Sequence, residues 1–180
     1  DLPINHSYYV KELQAPANYF RNSEDVFSFR FQYTNDKQAS VAFTHTFENE
    51  RVNATIHLVK KDKETGRNTQ GDGAVYGVYA RENIIHPDGK TGILYKAGSQ
   101  VATMTVDKKG DASVEDLYLG KYYVKEITPP IGYLIDEGEY DLECSYERDL
   151  VKTVERSTGS SEQAMKQPLQ VIKAANNGKT

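Results

Sequence analysis

The chain has 180 residues, of which 38% are hydrophobic and 27% charged, with a formal charge of −4. This polar composition still suffices for a packed core and is not that of a disordered chain. No basic surplus is present to neutralise phosphates, which argues against a nucleic-acid partner. The single cysteine, Cys144, excludes an internal disulfide framework, and no apolar run is long enough to insert in a membrane.

Taken in chain order, the sequence predicts strands and turns throughout. Ser7–Leu13 reads as a strand. Val26–Tyr33 alternates Phe27, Phe29 and Phe31 against Val26, Ser28 and Arg30, the period of a half-buried strand. A turn at Asn35-Asp36-Lys37 leads to a strand over Ser40–Phe47, with Val41, Phe43 and Phe47 on one face and His45 placed with them as a core histidine. Ala54–Lys60 and Ala74–Ala80 are strands, separated by loops at Lys63-Glu64-Thr65-Gly66 and Gln70-Gly71-Asp72-Gly73. Arg81–Gly92 reads as a long polar loop. Gln100–Val106, Ala112–Val114, Leu117–Leu119 and Tyr122–Ile127 follow as strands. Glu139–Tyr146 and Leu150–Arg156 read as a hairpin, and Ser157–Gln167 as a linker or helical turn. No segment holds a helical period. Many short strands rich in Tyr, Thr and Val indicate an all-β fold, a sandwich or barrel.

One block occurs twice. Tyr8-Tyr9-Val10-Lys11-Glu12 returns unchanged as Tyr122-Tyr123-Val124-Lys125-Glu126, and Pro16 and Tyr19 recur as Pro130 and Tyr133. A fixed period of this size reads as a tandem array. The expected organisation is the C-terminal part of one repeat over 1–53, a complete repeat over 54–167, and the first strand of a following repeat over 168–180. On this reading the chain begins within a repeat.

Strand alternation aims two ionisable groups inward. Lys60 shares a face with Ile56 and Leu58, and Glu126 shares one with Tyr122 and Val124. Unpaired, either charge is costly to bury. Two readings follow. The first is a buried Lys–Glu ion pair. The second is covalent: a desolvated lysine is nucleophilic, a protonated glutamate shuttles protons, and a nearby carboxamide loses ammonia to leave an isopeptide bond. Such a bond would constrain the unfolded chain as a disulfide does.

These residues carry a family resemblance. Lys60-Lys61-Asp62-Lys63-Glu64-Thr65-Gly66, Gly73-Ala74-Val75-Tyr76-Gly77-Val78-Tyr79 and Tyr122–Tyr133 resemble, in order, three motifs of the Cna B-type (SpaA-like, prealbumin-like) domains of Gram-positive surface proteins and pilins. The resemblance spans about 54–167. It implies prealbumin-like β-sandwich repeats in an extracellular, cell-wall-associated stalk, with Lys60 as nucleophile and Glu126 as the residue assisting isopeptide formation. Glu12 takes that same role in the first repeat, where Asn49 is the acceptor. Lys173 is the matching lysine of the next repeat, because Leu169, Val171 and Lys173 alternate as Ile56, Leu58 and Lys60 do. Asn49 lies eleven positions before Lys60; the same count back from Lys173 reaches Glu162, with Gln163 beside it. No Asn or Asp occurs between Asp149 and Asn176, so either the complete repeat has lost its cross-link, leaving Lys60 and Glu126 as an ion pair, or Gln163 serves as the acceptor. Lys173 is also placed to complement the incomplete repeat of a second molecule by strand exchange.

The four histidines lack metal-ligand spacing, and Asp72, Asp88, Asp107 and Asp111 sit beside glycine in turns, so no metal or cofactor is expected. Cys144 alternates with Leu142 and is expected to be buried. The reading is a structural stalk or pilin-like shaft, not an enzyme, whose partners are neighbouring repeats. The alternative is an extracellular module gripping a host protein or glycan through tyrosine-rich edges and the Arg81–Gly98 loop.

Overall fold

The computed structural model describes residues 2–33, 35–37, 40–68 and 73–171. The strands are β1 (Ser7–Lys11), β2 (Tyr19–Phe20), β3 (Val26–Arg30), β4 (Glu50–Arg51), β5 (Asn53–Asp62), β6 (Val75–Ala80) and β7 (Ile84–Ile85). They continue as β8 (Ile93–Tyr95), β9 (Gln100–Thr105), β10 (Asp111–Leu117), β11 (Gly120–Thr128), β12 (Glu139–Cys144) and β13 (Thr153–Glu162). Among the described residues there is no helix.

Two sheets hold the core. One is ordered β10-β5-β13, the other β12-β11-β6-β9. Their inner faces alternate as the pleat requires. Ile56 and Leu58 come from β5, Tyr76 and Val78 from β6, Tyr122 and Val124 from β11, and all six are fully buried. Cys144 is buried with them. The first and last strands of this sandwich, β5 and β13, run parallel through ten consecutive rungs, from Thr153 opposite Asn53 to Glu162 opposite Asp62.

Residues 2–52 form a smaller unit. β1 pairs antiparallel with β3, and β2 with β4. β4 runs almost directly into β5, and the junction is fastened from both sides. Asp149 accepts from Arg21 Nε at 2.9 Å, and the Arg21 backbone N–H donates to the Asp149 carbonyl at 2.7 Å. Arg51 reaches the Asp116 carboxylate at 2.5 Å and the Leu117 carbonyl at 3.1 Å. Asp116 sits at a bulge in β10 with φ 58°, a left-handed conformation that Asp tolerates.

Several expectations need correction. Ser157–Gln167 is not a linker: most of it belongs to β13. Its Ser, Thr and Gly residues hid the strand because β13 is an edge whose outer face meets water. The Glu139–Arg156 hairpin does not form; β12 and β13 lie in different sheets. The two short strands after Gly110 are one strand with a bulge. Within Arg81–Gly92, Ile84-Ile85 pairs with Ile93–Tyr95. No strand forms over residues 41–49, which have no ladder partner among the described residues. His45 lies at the surface, stacked on Phe27 at 4.8 Å and 3.2 Å from Asp25, because no second layer covers that face among the described residues.

Candidate functional site: a buried charge cluster

The Lys60 side chain is fully enclosed at the end of the sandwich where β5, β11 and β13 converge. The alternation that buries Ile56 and Leu58 carries Lys60 to the same face. Its Nζ lies 3.0 Å from Glu126 Oε1. Two rungs beyond Ser160, the last strand brings Glu162 inward, and Lys60 Nζ also meets Glu162 Oε1. Neither carboxyl side chain is exposed. The cluster is therefore one amine between two carboxyls, all removed from water.

The surrounding shell is equally ordered. The Asp136 N–H donates to Glu126 Oε2 at 2.7 Å. The Tyr76 ring centroid lies 5.6 Å from Lys60 Nζ, and the Tyr76 and Ser160 hydroxyls are 2.6 Å apart. The loop after β11 closes over the cluster. Leu134 N–H donates to the Gln163 carbonyl at 3.0 Å, and Met165 N–H to the Gly132 carbonyl at 2.8 Å. The Pro-Pro-Ile-Gly-Tyr run thus turns the chain back against the end of β13. Asp62, following Lys61, accepts from the N–H groups of Glu64 and Thr65 and from the Thr65 hydroxyl, with Gly66 at φ 68° completing the turn. That accounts for the Asp, Thr and Gly of the first motif.

The two carboxyls are pushed apart electrostatically. Burial, followed by the neighbouring Glu126 carboxyl, raises Glu162 to about 8. Burial acts to raise Glu126 as well, but the adjoining Glu162 together with the hydrogen bonds from the Asp136 N–H and Lys60 outweighs it and holds Glu126 below its usual range. Of the two carboxyls, Glu162 is thus the one pushed toward the protonated form and Glu126 the one held toward the carboxylate beside the lysine. Burial also raises the Tyr76 hydroxyl.

Lys60 and Glu126 are thus brought together. Gln163 is placed elsewhere: its residue is exposed and its backbone carbonyl is engaged with Leu134. The residue that sequence reasoning passed over is Glu162. The eleven-position count back from Lys173 lands on it, but the Ser, Thr and Gly residues before it carry no apolar alternation that would signal an inward side chain. In the smaller unit, Asn49 Nδ2 donates to Glu12 Oε1 at 2.8 Å. Lys173 lies outside the described residues.

The sandwich was compared with known proteins. The family model for the SpaA prealbumin-like fold domain matches residues 54–158. The chain belongs to this family. No curated protein matches it. Among solved structures, the Bacillus anthracis TIE protein is 25% identical with a TM-score of 0.59, over 91% of this chain and 26% of that one. A backbone pilin of Streptococcus pyogenes is 15% identical with a TM-score of 0.48, over 76% of this chain and 40% of the pilin. The shaft pilin SpaA of Lactobacillus rhamnosus GG is 16% identical with a TM-score of 0.47, over 91% of this chain and 64% of that one. The chain thus spans less than two thirds of each of these proteins. No helix among the described residues is long and apolar enough to cross a membrane.

Proposed function

We propose that the chain is a load-bearing shaft segment of a Gram-positive cell-surface adhesin or pilin-like protein, exposed outside the cell. Its working residues join strands and turn over no substrate. The observation that carries this reading is the parallel β5–β13 ladder, ending beside the buried Lys60 cluster. Tension along the chain enters at the Asn53 end of β5 and leaves beyond Glu162. It loads the ladder along the strand axes, so its rungs must yield together. Lys60, Glu126 and Glu162 tie the first strand, the last strand and the opposite sheet at the exit end.

The tie proposed here is ionic. A Lys60–Gln163 isopeptide needs a carboxamide at the amine, whereas Gln163 is exposed and Glu162 occupies that position. Intact mass separates the possibilities. The ionic tie leaves the mass unchanged. An amide to Gln163 removes about 17 Da as ammonia, and one to Glu162 about 18 Da as water. Single-molecule stretching tests the mechanical role. A high unfolding force that drops on Lys60→Met is expected; a low force indifferent to that substitution removes the shaft reading.

The binding-module alternative draws on the outer face of β6 and β11, where Tyr79 and Tyr123 stack at 5.1 Å. Arg81 already lies over the Tyr123 ring at 4.0 Å and pairs with Asp141 and Glu139. This self-contained arrangement favours a structural use of the tyrosines.

A further inference from the structure

Among the described residues the sandwich ends in four edge strands, and they are not alike. One sheet ends in β10 and β13, the other in β12 and β9. An open edge presents unpaired N–H and C=O groups, and charged side chains along it discourage pairing with another chain. β10 carries exposed Asp111, Glu115 and Asp116, and β12 carries exposed Glu139, Asp141 and Glu143. β13 carries Glu155 and Arg156. β9, Gln100–Thr105, carries no charged residue, no proline and no glycine. Its Val101, Thr103 and Thr105 are β-branched, the residue type that favours a strand.

The backbone of β9 is set for a further partner. β6 lies on one side, with Tyr76 opposite Met104 and Gly77 opposite Thr103, and among the described residues no strand lies on the other. The Val106 N–H donates to the Ala74 carbonyl at 2.9 Å. Alternation therefore turns the backbone groups of Met104 and Ala102 toward β6 and those of Thr103 and Thr105 away from it. The Met104 side chain is buried in the core, and Thr103 and Thr105 are exposed. A bulge leaves Val101 outside the β6 register, and the ladder is regular from Ala102 to Thr105.

We propose that β9 pairs antiparallel with β9 of a second copy of this chain, about a two-fold axis at Thr103, joining the two sheets edge to edge. Thr103 then faces Thr103 of the second copy, Val101 faces Thr105, Ser99 faces Asp107 and Gly98 faces Lys108. No like charges meet, and the outward backbone groups of Thr103 bond to those of the same residue in the other copy. β12 paired with itself in this way would set Asp141 against Asp141 and Glu139 against Glu143. The uncharged, self-complementary strand thus selects its own copy. One patch serves both partners, so the contact closes as a dimer and does not extend. The ladder supplies main-chain hydrogen bonds and buries little apolar surface, so association is weak and reversible. The contact depends neither on the bonding of the Lys60 cluster nor on the 2–52 unit.

Sedimentation equilibrium of the full chain at concentrations up to about 1 mM reads the association. A monomer–dimer equilibrium is expected. Thr103→Lys sets two ammonium groups face to face and should weaken the dimer at least about tenfold. Thr103→Pro removes an outward N–H while leaving the β6 ladder intact, and should have the same effect. Thr103 is exposed, so neither change disturbs the core. On mild oxidation Thr103→Cys should cross-link two copies, because paired Cα atoms at that position lie about 5.5 Å apart. Glu155→Cys on β13 should not. The proposal is overturned by a monomer throughout that concentration range, or by association that Thr103→Lys leaves unchanged. Cross-linking no more extensive at 103 than at 155 overturns it equally.

Discussion

Lys60 and Glu162 meet although they are not partners in the ladder. The register sets Lys60 opposite Ser160 and Glu162 opposite Asp62, and the two side chains converge diagonally over the sandwich end. The diagonal leaves Ser160 free to bond Tyr76 and lets one amine serve a carboxyl from each sheet.

Removing the amine strands the carboxyls. Lys60→Met should destabilise the domain by about 3–5 kcal/mol, the cost of breaking a buried ion pair from one side. The combined Lys60→Met, Glu126→Gln, Glu162→Gln variant should recover much of that loss, because no buried charge is left uncompensated. Urea denaturation of the two variants measures the difference.

The raised Glu162 carboxyl gives stability a pH dependence. The folded state holds a proton on Glu162 up to about 8, whereas the ordinary carboxyl value is 4.5. Its contribution is fully present below the unfolded value and is lost as pH rises through about 8. Glu126, held low, contributes in the opposite sense, losing stability as pH falls below its usual range. Denaturation midpoints should therefore fall between about pH 5 and pH 8, and Glu162→Gln should abolish that slope. A slope unchanged in the variant would assign it to other groups.

The Tyr76–Ser160 contact tests the shell around the amine. Tyr76→Phe should cost about 1–2 kcal/mol by leaving the buried Ser160 hydroxyl unpaired. Tyr76→Phe with Ser160→Ala should be closer to wild type than Tyr76→Phe alone. A double-mutant cycle in chemical denaturation reads the coupling.

Arg21 and Asp149 hold the small unit against the sandwich. Asp149→Ala removes the acceptor for Arg21 Nε and for the Ala15 N–H, and should weaken the junction by about 1.5–3 kcal/mol. Limited proteolysis should then cut within residues 2–52 faster while the 54–162 core resists as before.

The inward aim of Lys60 and Glu126 was legible because period-2 alternation is local: a buried Ile56 and Leu58 commit the next alternate side chain to the same face. Glu162 was not legible. Its neighbours Ser160, Ser161 and Gln163 carry no hydrophobic alternation, and its burial depends on β13 joining β5, a contact about 100 positions apart in sequence. The 40–49 segment failed in the reverse direction. Phe43 and Phe47 have the right period, yet a strand also needs a ladder partner.

By itself the sequence determined the strand periods, the turn chemistry at Asp62 and Gly66, the paired blocks ending in Glu12 and Glu126, and the all-β class. Each depends on residues close together along the chain. Only the tertiary structure decided that the last strand runs parallel to the first and that a carboxyl rather than a carboxamide meets the lysine. Those outcomes depend on which distant strand lies alongside, and side-chain alternation specifies a face without specifying its partner.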